Sequence, residues 1–391
     1  MVRRIFSRAA SALFVLLVLP GKAHALVPGS VPAPGTMRVF GEGIQMNPVV
    51  TASGGIAYSN WHGEPWLKLE GRYQGVFWRD DYRAPEKDAY SLVPGDSANC
   101  VQLTGSVDSL ACLFDQFDSM AYGSKVWFKP TVTQTLMSTA FQWGRHAKPS
   151  IWDDGAPNHR VRLAVSKFEG GNWYIHLMGK QGISSQYWQI VTGGNQEEPA
   201  MGRDFVAWED HRPWEPGLNN RYITFAHEAN GYGTSHTIGR GRHPSAGALG
   251  IAGPSLVAFE DCDQPGQPIV VYEILGPGAF RRSSWRPACD VARRPVLDRS
   301  GHILYLCWNE DRESWDLYYE RVEGDVCRVY LDSLGHFPEE DLPQQCHTVD
   351  GRIVYSKLDN RASMQFGVWY NEPQAPRAAY ECALFDEEFG Q

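Results

Sequence analysis

The sequence predicts an all-β fold: a single seven-bladed β-propeller of four-stranded antiparallel blades, with six or eight blades as the alternative counts. Three observations predict it. The 391 residues include 39 Gly, 25 Pro, 17 Phe, 14 Trp and 17 Tyr, a composition that favours many short strands and turns over long helices. A short apolar run that sets a small residue beside a large one recurs along the chain about every 50 residues. No stretch between the recurrences keeps a 3.6-residue period.

Taken in order, the first 25 residues read as a signal peptide. Arg3, Arg4 and Arg8 give a basic start, Ala9 to Leu19 an apolar segment, and Ala23-His24-Ala25 a cleavage signature. That segment is too short to span a bilayer. The paired Arg3-Arg4 also suits twin-arginine export, but the cysteine content favours the general secretory path. Residues 26–36, rich in Pro and Gly, read as a flexible leader, and residues 37–391 as the propeller domain. The chain carries 36 Lys+Arg and 45 Asp+Glu, a net charge of −9; losing Arg3, Arg4, Arg8 and Lys22 takes it to −13. So acidic a surface excludes nucleic acid and anionic membrane as partners.

The recurring runs are Ile56-Ala57-Tyr58, Cys112-Leu113, Leu163-Ala164-Val165, Val206-Ala207-Trp208, Val257-Ala258-Phe259, Leu306-Cys307-Trp308 and Ile353-Val354-Tyr355. Each precedes a polar turn and a further aromatic-rich strand: Trp66 to Leu69, Val126 to Phe128, Trp173 to Ile175, Arg221 to Ile223, Val270 to Tyr272, Asp316 to Tyr319 and Gly367 to Tyr370. Most copies have an earlier strand opened by a proline, namely Pro48, Pro149, Pro199, Pro254 and Pro295. The small-then-large pair has a packing reason, because successive strand residues face opposite sides of a sheet. A small residue on one side leaves room for the aromatic side chain of the adjoining blade. Met37 to Gly43 is expected to close the ring beside Ala378 to Phe385, with Cys382 able to reinforce the join.

Several units resemble the TolB-type propeller repeat. In the best copy, Arg293 to Gly324, the matching residues are Pro295, Asp298, Gly301, Trp308, Asp311, Arg312, Asp316 and Tyr318; a second copy keeps Pro199, Trp208, Asp210, Arg212 and Tyr222. The resemblance covers the repeat units only. It implies a blade and neither a reaction nor membership of a Tol complex.

Eight cysteines in an exported chain read as disulfide candidates. Cys100 and Cys112 flank a hairpin symmetrically. Cys262 with Cys289, and Cys327 with Cys346, are neighbours by spacing, which leaves Cys382 and a Cys307 that also reads as a buried free thiol.

The loops after the second strands open on the ring face that usually holds a propeller's ligand. They bring Glu209, Asp210, Glu260, Asp261, Glu310 and Asp311 together as candidate ligand-binding residues, a ring of carboxylates suited to a polyhydroxylated ligand or a cation. Turn closure accounts for the same residues, since Asp after a strand accepts turn N–H bonds and an Asp–Arg pair fastens a hairpin. A second group, His159, Arg160, His211 and Tyr222, is the candidate catalytic set. Histidine or tyrosine, with an arginine to neutralise a uronic carboxylate, is the equipment of a lyase. Serine-hydrolase, zinc-protease and phosphate-loop motifs are absent, and neither a metal nor another cofactor is expected. The chain therefore reads as a monomeric binding or scaffold protein, periplasmic or extracellular, that engages a glycan or a protein partner without nucleic acid or membrane insertion. The alternative is a polysaccharide-active enzyme, a lyase or glycoside hydrolase, with its site at the channel mouth.

Overall fold

The computed structural model describes residues 36–39, 44–61, 74–80, 83–85, 87–88, 98–107, 109–118, 121–129, 138–155, 160–181, 184–190, 194–212, 220–250, 252–266, 268–323, 328–335, 346–360 and 365–371. The predicted signal peptide and leader lie outside them, apart from Thr36. The described residues are all-β, with a single 3-10 turn at Glu228–Asn230.

The strands fall into seven antiparallel sets of four. Strand β1 (Met37–Val39) comes first in the chain, and the first set follows as β2 (Ile44–Val50), β3 (Ile56–Trp61), β4 (Gln74–Arg79) and β5 (Lys87–Asp88). The second set is β6 (Ala98–Ser106), β7 (Ser109–Asp118), β8 (Ala121–Lys129) and the first half of β9 (Ser138–Asp153). The rest of β9 opens the third, with β10 (Val161–Glu169), β11 (Asn172–Gln181) and β12 (Ser184–Ile190). The fourth is β13 (Asn195–Met201), β14 (Phe205–His211), β15 (Arg221–His227) and the start of β16 (Ser235–Ala248). The end of β16 leads the fifth, with β17 (Ser255–Asp261), β18 (Ile269–Gly276) and β19 (Ala279–Arg282). The sixth is β20 (Ala292–Leu297), β21 (His302–Asn309), β22 (Ser314–Arg321) and β23 (Val329–Gly335). The seventh takes β24 (Cys346–Val349), β25 (Arg352–Asn360) and β26 (Gln365–Asn371), and its fourth strand is β1.

The first strands touch in a circuit, β2 to β6, β9, β13, β16, β20, β24 and back to β2. Among the described residues, a buried apolar cluster fills the space between each set and the next. One of them joins Trp152, Ala164 and Ile175 of the third set to Met201, Val206 and Trp208 of the fourth. This is the packing expected of the small-then-large pairs: Ala57, Ala164, Ala207 and Ala258 are fully buried, as are Tyr58 and Trp208. Gly247 is needed for closeness, since a Cβ there would lie 2.4 Å from the Asp298 carbonyl oxygen.

Hydrogen bonds along the edge that carries the first-to-second-strand loops link every set to the next. They are Ala52 N–H to Val107 O (2.7 Å), Ser109 to Asp153 (2.8 Å), Arg162 to Glu228 (3.0 Å) and Ser255 to Asp204 (2.7 Å). Ala248 N–H to Asp298 O (3.0 Å), Arg299 to Asp350 (2.6 Å) and Arg352 to Ala52 O (2.6 Å) complete the circuit.

Several expectations are corrected. The closing strand does come from Met37–Val39, but it pairs with Val368 to Tyr370, while residues 378–385 lie outside the described residues. The third strand of the first set is Gln74–Arg79, and residues 66–69 lie outside the described residues. The proline equivalent to the others is Pro244 inside β16, not Pro254, which precedes β17. All seven small positions fall in second strands, yet Cys112 is one residue out of step, since Ala111 holds the place that matches Ala207, and Cys307 is three residues out. It lies opposite Ala292, and Leu304 holds the place that matches Ala207. Cys307 is packed in the cluster between the fifth and sixth sets but is no free thiol: it is bonded to Cys289, and Cys262 and Cys346 are the free thiols among the described residues. Cys327 and Cys382 lie outside the described residues. Cys100 stands opposite Phe114 and Cys112 opposite Leu103, because one extra residue bulges from β6.

Candidate functional site

The inner strands share a backbone device. Asn47, Lys148, Glu198, His243 and Arg294 have φ of 50°, 49°, 51°, 53° and 55°. Each stands immediately before a proline, at a break in the ladder between the first and second strands of its set. Left-handed backbone is costly for a residue with a Cβ, by about 1–2 kcal/mol, and the following proline restricts the residue further. A bulge re-aims the side chain it carries, and here four of the five meet. Lys148 pairs with Glu198. Glu198 Oε2 lies 2.8 Å from His243 Nδ1, which is 2.9 Å from Arg294 Nη1. The chain Lys148–Glu198–His243–Arg294 thus crosses the third to sixth sets.

Buried carboxylates fix this arc from behind. Glu209, one residue past Trp208, accepts the His243 backbone N–H at 2.6 Å, and Glu260 accepts that of Arg294 at 2.9 Å. In each case a carboxylate on the second strand of one set holds the strained residue of the next. Glu209 also meets His211 (3.2 Å) and Arg221 (3.4 Å), and Glu260 meets Arg242 (2.7 Å). Burial opposes ionisation of Glu209, but the His211 bond, the His243 N–H and the Arg221 charge outweigh it and hold the carboxyl below its usual range. Burial lowers the Lys148 pKa, with the Arg294 and Arg221 charges adding to the shift while Glu209 and Glu197 oppose it. Burial also takes His243 down to about 4, helped by Arg294 and Lys148 and opposed by Glu260 and Glu209. The imidazole is neutral at pH 7.

The six candidate carboxylates do not share one environment. Glu209 and Glu260 are spent on the bonds above. Asp210 accepts from Arg212 (3.2 Å), and Asp261 closes its own turn through Asp263 N–H (2.9 Å) and Gln264 (2.7 Å). Glu310 and Asp311 are exposed on the β21–β22 hairpin, which is fastened by Asn309, Arg312 and Asp316. The place that matches Glu209 and Glu260 in the sixth set is Leu306, opposite Arg293. Counting from the apolar run misplaces Glu310 because Cys307 is out of step.

Of the candidate catalytic set, the three described members do not lie together. His159 lies outside the described residues. Arg160 pairs with Glu228, next to the Phe205 end of β14. His211 and Tyr222 lie at the other end of that seven-residue strand, about 20 Å away at 3.3 Å per residue. Tyr222 is covered by the Arg212 guanidinium, 4.3 Å from its ring centroid.

Glu198, Glu209 and His243 place three donor atoms within 4.8 Å of one another, a set that could hold a cation. Their surroundings argue for an ion-pair cluster instead, because Lys148 and Arg294 already meet Glu198 and His243 and Arg221 meets Glu209. Sequence reasoning missed Lys148, Glu198, His243 and Arg294. Their signal was the residue before each repeat proline.

No family model matches the chain, and no curated protein matches it significantly. Solved structures do resemble it. Pyrococcus horikoshii acylaminoacyl peptidase is 10% identical with a TM-score of 0.52, over 88% of this chain and 54% of that one. The chain thus spans about half the length of that peptidase. The β-propeller domain of the Trilobed protease from Pyrococcus furiosus is 12% identical, with a TM-score of 0.46 over 72% and 83% of the two chains. The ectodomain of the Physcomitrella patens receptor kinase CR4 is 12% identical, with a TM-score of 0.42 over 81% and 71%. Likeness at these identities shows the fold alone; antiparallel sets of four strands whose first strands touch in a circuit are of the β-propeller class. No helix among the described residues is long and apolar enough to cross a membrane.

Proposed function

We propose that the chain is a single seven-bladed β-propeller, exported to the periplasm or cell exterior, that works as a binding or scaffold module for a glycan or protein partner. The circuit of inner strands and the seven inter-set clusters support the blade count. The TolB-type likeness of the repeats and the Cys289–Cys307 bond are in keeping with an exported ring. The ligand would meet the ring where Lys148, Glu198, His243 and Arg294 converge. The observation that carries this reading is the four strained backbones that present charged or polar side chains to one another from four blades. Strain that recurs at the same place is a mark of function. The separation of Arg160 from His211 and Tyr222 argues against the lyase.

The test is a glycan-array screen of the full chain beside an ultraviolet assay for unsaturated uronate product. Binding without turnover is the expected outcome. Product formation that disappears in His211→Ala and Tyr222→Phe would replace the binding reading with the enzyme.

A further inference from the structure

We propose that a cleft on the outer part of the ring, between the fifth and sixth sets, binds a neutral saccharide whose hydroxyls donate to Glu273 and Glu320 and accept from Ser283 and Arg281. This is a second site, and it goes beyond the reading above, which places a ligand where Lys148, Glu198, His243 and Arg294 meet.

The cleft holds about 720 Å³, within the roughly 300–1,000 Å³ of small-molecule sites. Glu273 on β18, Arg281 on β19 and the residues from Ser283 to Trp285 wall it on one side, and Glu320 on β22 with Val322 on the other. These strands lie outside the circuit of first strands. The Ser283 N–H bonds the Val271 carbonyl at 2.9 Å, so the β19 pairing runs on by one residue and Ser283 shares a face with Arg281. The link that follows is held from behind. The Ala288 N–H bonds the Tyr305 hydroxyl at 3.0 Å, and Cys289 is bonded to Cys307. The same Tyr305 hydroxyl donates to Glu320. Both walls are thus in place before a ligand arrives, and little ordering cost falls on binding.

Chemistry narrows the ligand. Glu273 and Glu320 are only 5% and 6% exposed. Oε2 of Glu273 accepts from Arg281 at 2.7 Å, and Oε1 of Glu320 accepts from Tyr305 and, at 3.3 Å, from Arg328. The second oxygen of each makes no hydrogen bond among the described residues and is not sealed from solvent. An ionised carboxylate accepts at about four positions, so acceptor capacity is left over on both walls. Ser283 accepts the Trp285 N–H at 3.2 Å and keeps its own proton to give. Charge, by contrast, is balanced along the lining, where Glu273, Glu320 and Glu323 stand against Arg281, Arg282 and Arg321. Such a cleft has no net pull on an anion or a cation, yet its spare acceptors and donors lie side by side. A sugar hydroxyl both donates and accepts, and neighbouring hydroxyls match that mixture. Trp285 and Val322, from the apolar cluster between the two sets, offer the C–H face of a sugar ring an apolar floor.

Calorimetric titration of the full chain with a panel of neutral hexose and pentose oligomers, a uronate oligomer and a glucosamine oligomer tests the inference. A neutral member is expected to bind, with an affinity that added salt leaves unchanged. Glu273→Gln, which exchanges a charged acceptor for a neutral one, should cost that affinity about tenfold. Ser283→Ala should cost about fivefold, the weight of one neutral hydrogen bond. Melting temperatures of the two variants separate a lost contact from lost folding. In the unaltered chain the bound saccharide should slow amide exchange over residues 281–285 and 320–323, a readout that needs no variant. Binding that weakens with salt, tighter capture of the uronate or glucosamine oligomer, or protection confined to other strands overturns the inference. Binding lost in Lys148→Gln and kept in Glu273→Gln assigns the saccharide to the other site, which overturns the cleft and leaves the binding module standing. Binding of no neutral member overturns the cleft as well, and leaves the other site to a charged glycan or a protein partner.

Discussion

His347 ties the seventh set to the first and second, and acid should undo that tie. It stands on β24 of the seventh set; its Nδ1 accepts the Val50 N–H of the first set at 3.3 Å, and its Nε2 meets the Gly105 carbonyl of the second at 2.8 Å. An Nδ1 that accepts a bond carries no proton, so the ring is neutral and donates through Nε2. Burial drives the imidazole down to about 4, against the opposing pull of the Gly105 bond and the Asp298 charge. The unfolded chain takes up this proton near pH 6.5 and the folded chain only near 4. Between those values the unfolded state binds more protons, and stability falls as pH falls. Above about 6.5 neither state is protonated and the contribution is whole. A difference of about 2.5 units amounts to a loss of about 2 kcal/mol by pH 5 and about 3 kcal/mol by pH 4. His347→Gln keeps an acceptor and a donor but cannot titrate. Urea unfolding of both chains at pH 7, 5.5 and 4 reads the difference, since other acid-sensitive groups, His243 among them, are common to both. The unaltered chain should lead at pH 7 and lose about 3 kcal/mol of that lead by pH 4. A lead that stays constant with pH would refute the role given to His347.

Other outcomes follow from the same contacts. Glu209→Ala should cost about 3–5 kcal/mol, because it strands the His243 N–H and the Arg221 and His211 groups around a buried place. Glu310→Ala, on an exposed loop, should stay within about 0.5 kcal/mol in the same unfolding measurement. Reduction of the Cys289–Cys307 bond, 18 residues apart, should lower stability by about 3 kcal/mol, read as the shift in urea midpoint with reductant. Val39→Asp should weaken the pairing of β1 with β26 by about 3 kcal/mol or more, since Val39 is fully buried on β1 opposite Val368 in an apolar cluster, where a carboxylate is costly to bury. Early loss of the β1 amides in hydrogen exchange would report it.

The architecture was legible because packing writes a period into the chain. Ala57, Ala164, Ala207 and Ala258 recur at one place on the second strand, each fully buried against the neighbouring set. The same logic misled at Cys307, where a small residue occurs for a covalent reason and not a steric one. Once that copy slipped by three residues, Glu310 and Asp311 were carried along with it into a supposed ring of acids. Closure was half legible: Met37–Val39 reads as a strand, but its choice of β26 depends on which edge is left vacant when the chain ends meet, and composition holds no trace of that.

The site was less legible for a different reason. Side chains that recur at a fixed place announce a fold, while side chains that serve a ligand differ from copy to copy. Lys148, Glu198, His243 and Arg294 are two cations, a carboxylate and an imidazole, and it is the prolines that follow them that share a period. The constant part of the device is the bulge and its proline, and in the fourth and fifth sets also the acid behind it, Glu209 or Glu260. The variable part is the residue the bulge re-aims. A repeat protein can therefore change what it presents along its axis one residue at a time without disturbing a blade, because the strain belongs to the backbone and the specificity to the side chain. Exchanging Lys148 and Glu198 for each other tests this separation. The swap keeps their ion pair and the net charge but gives up the Glu198–His243 contact, so the chain should stay folded with a modestly lower melting temperature, while any charged ligand bound at this end should lose its place. A swap that unfolds the chain would mean that those side chains, and not the bulges beneath them, hold the inner strands together.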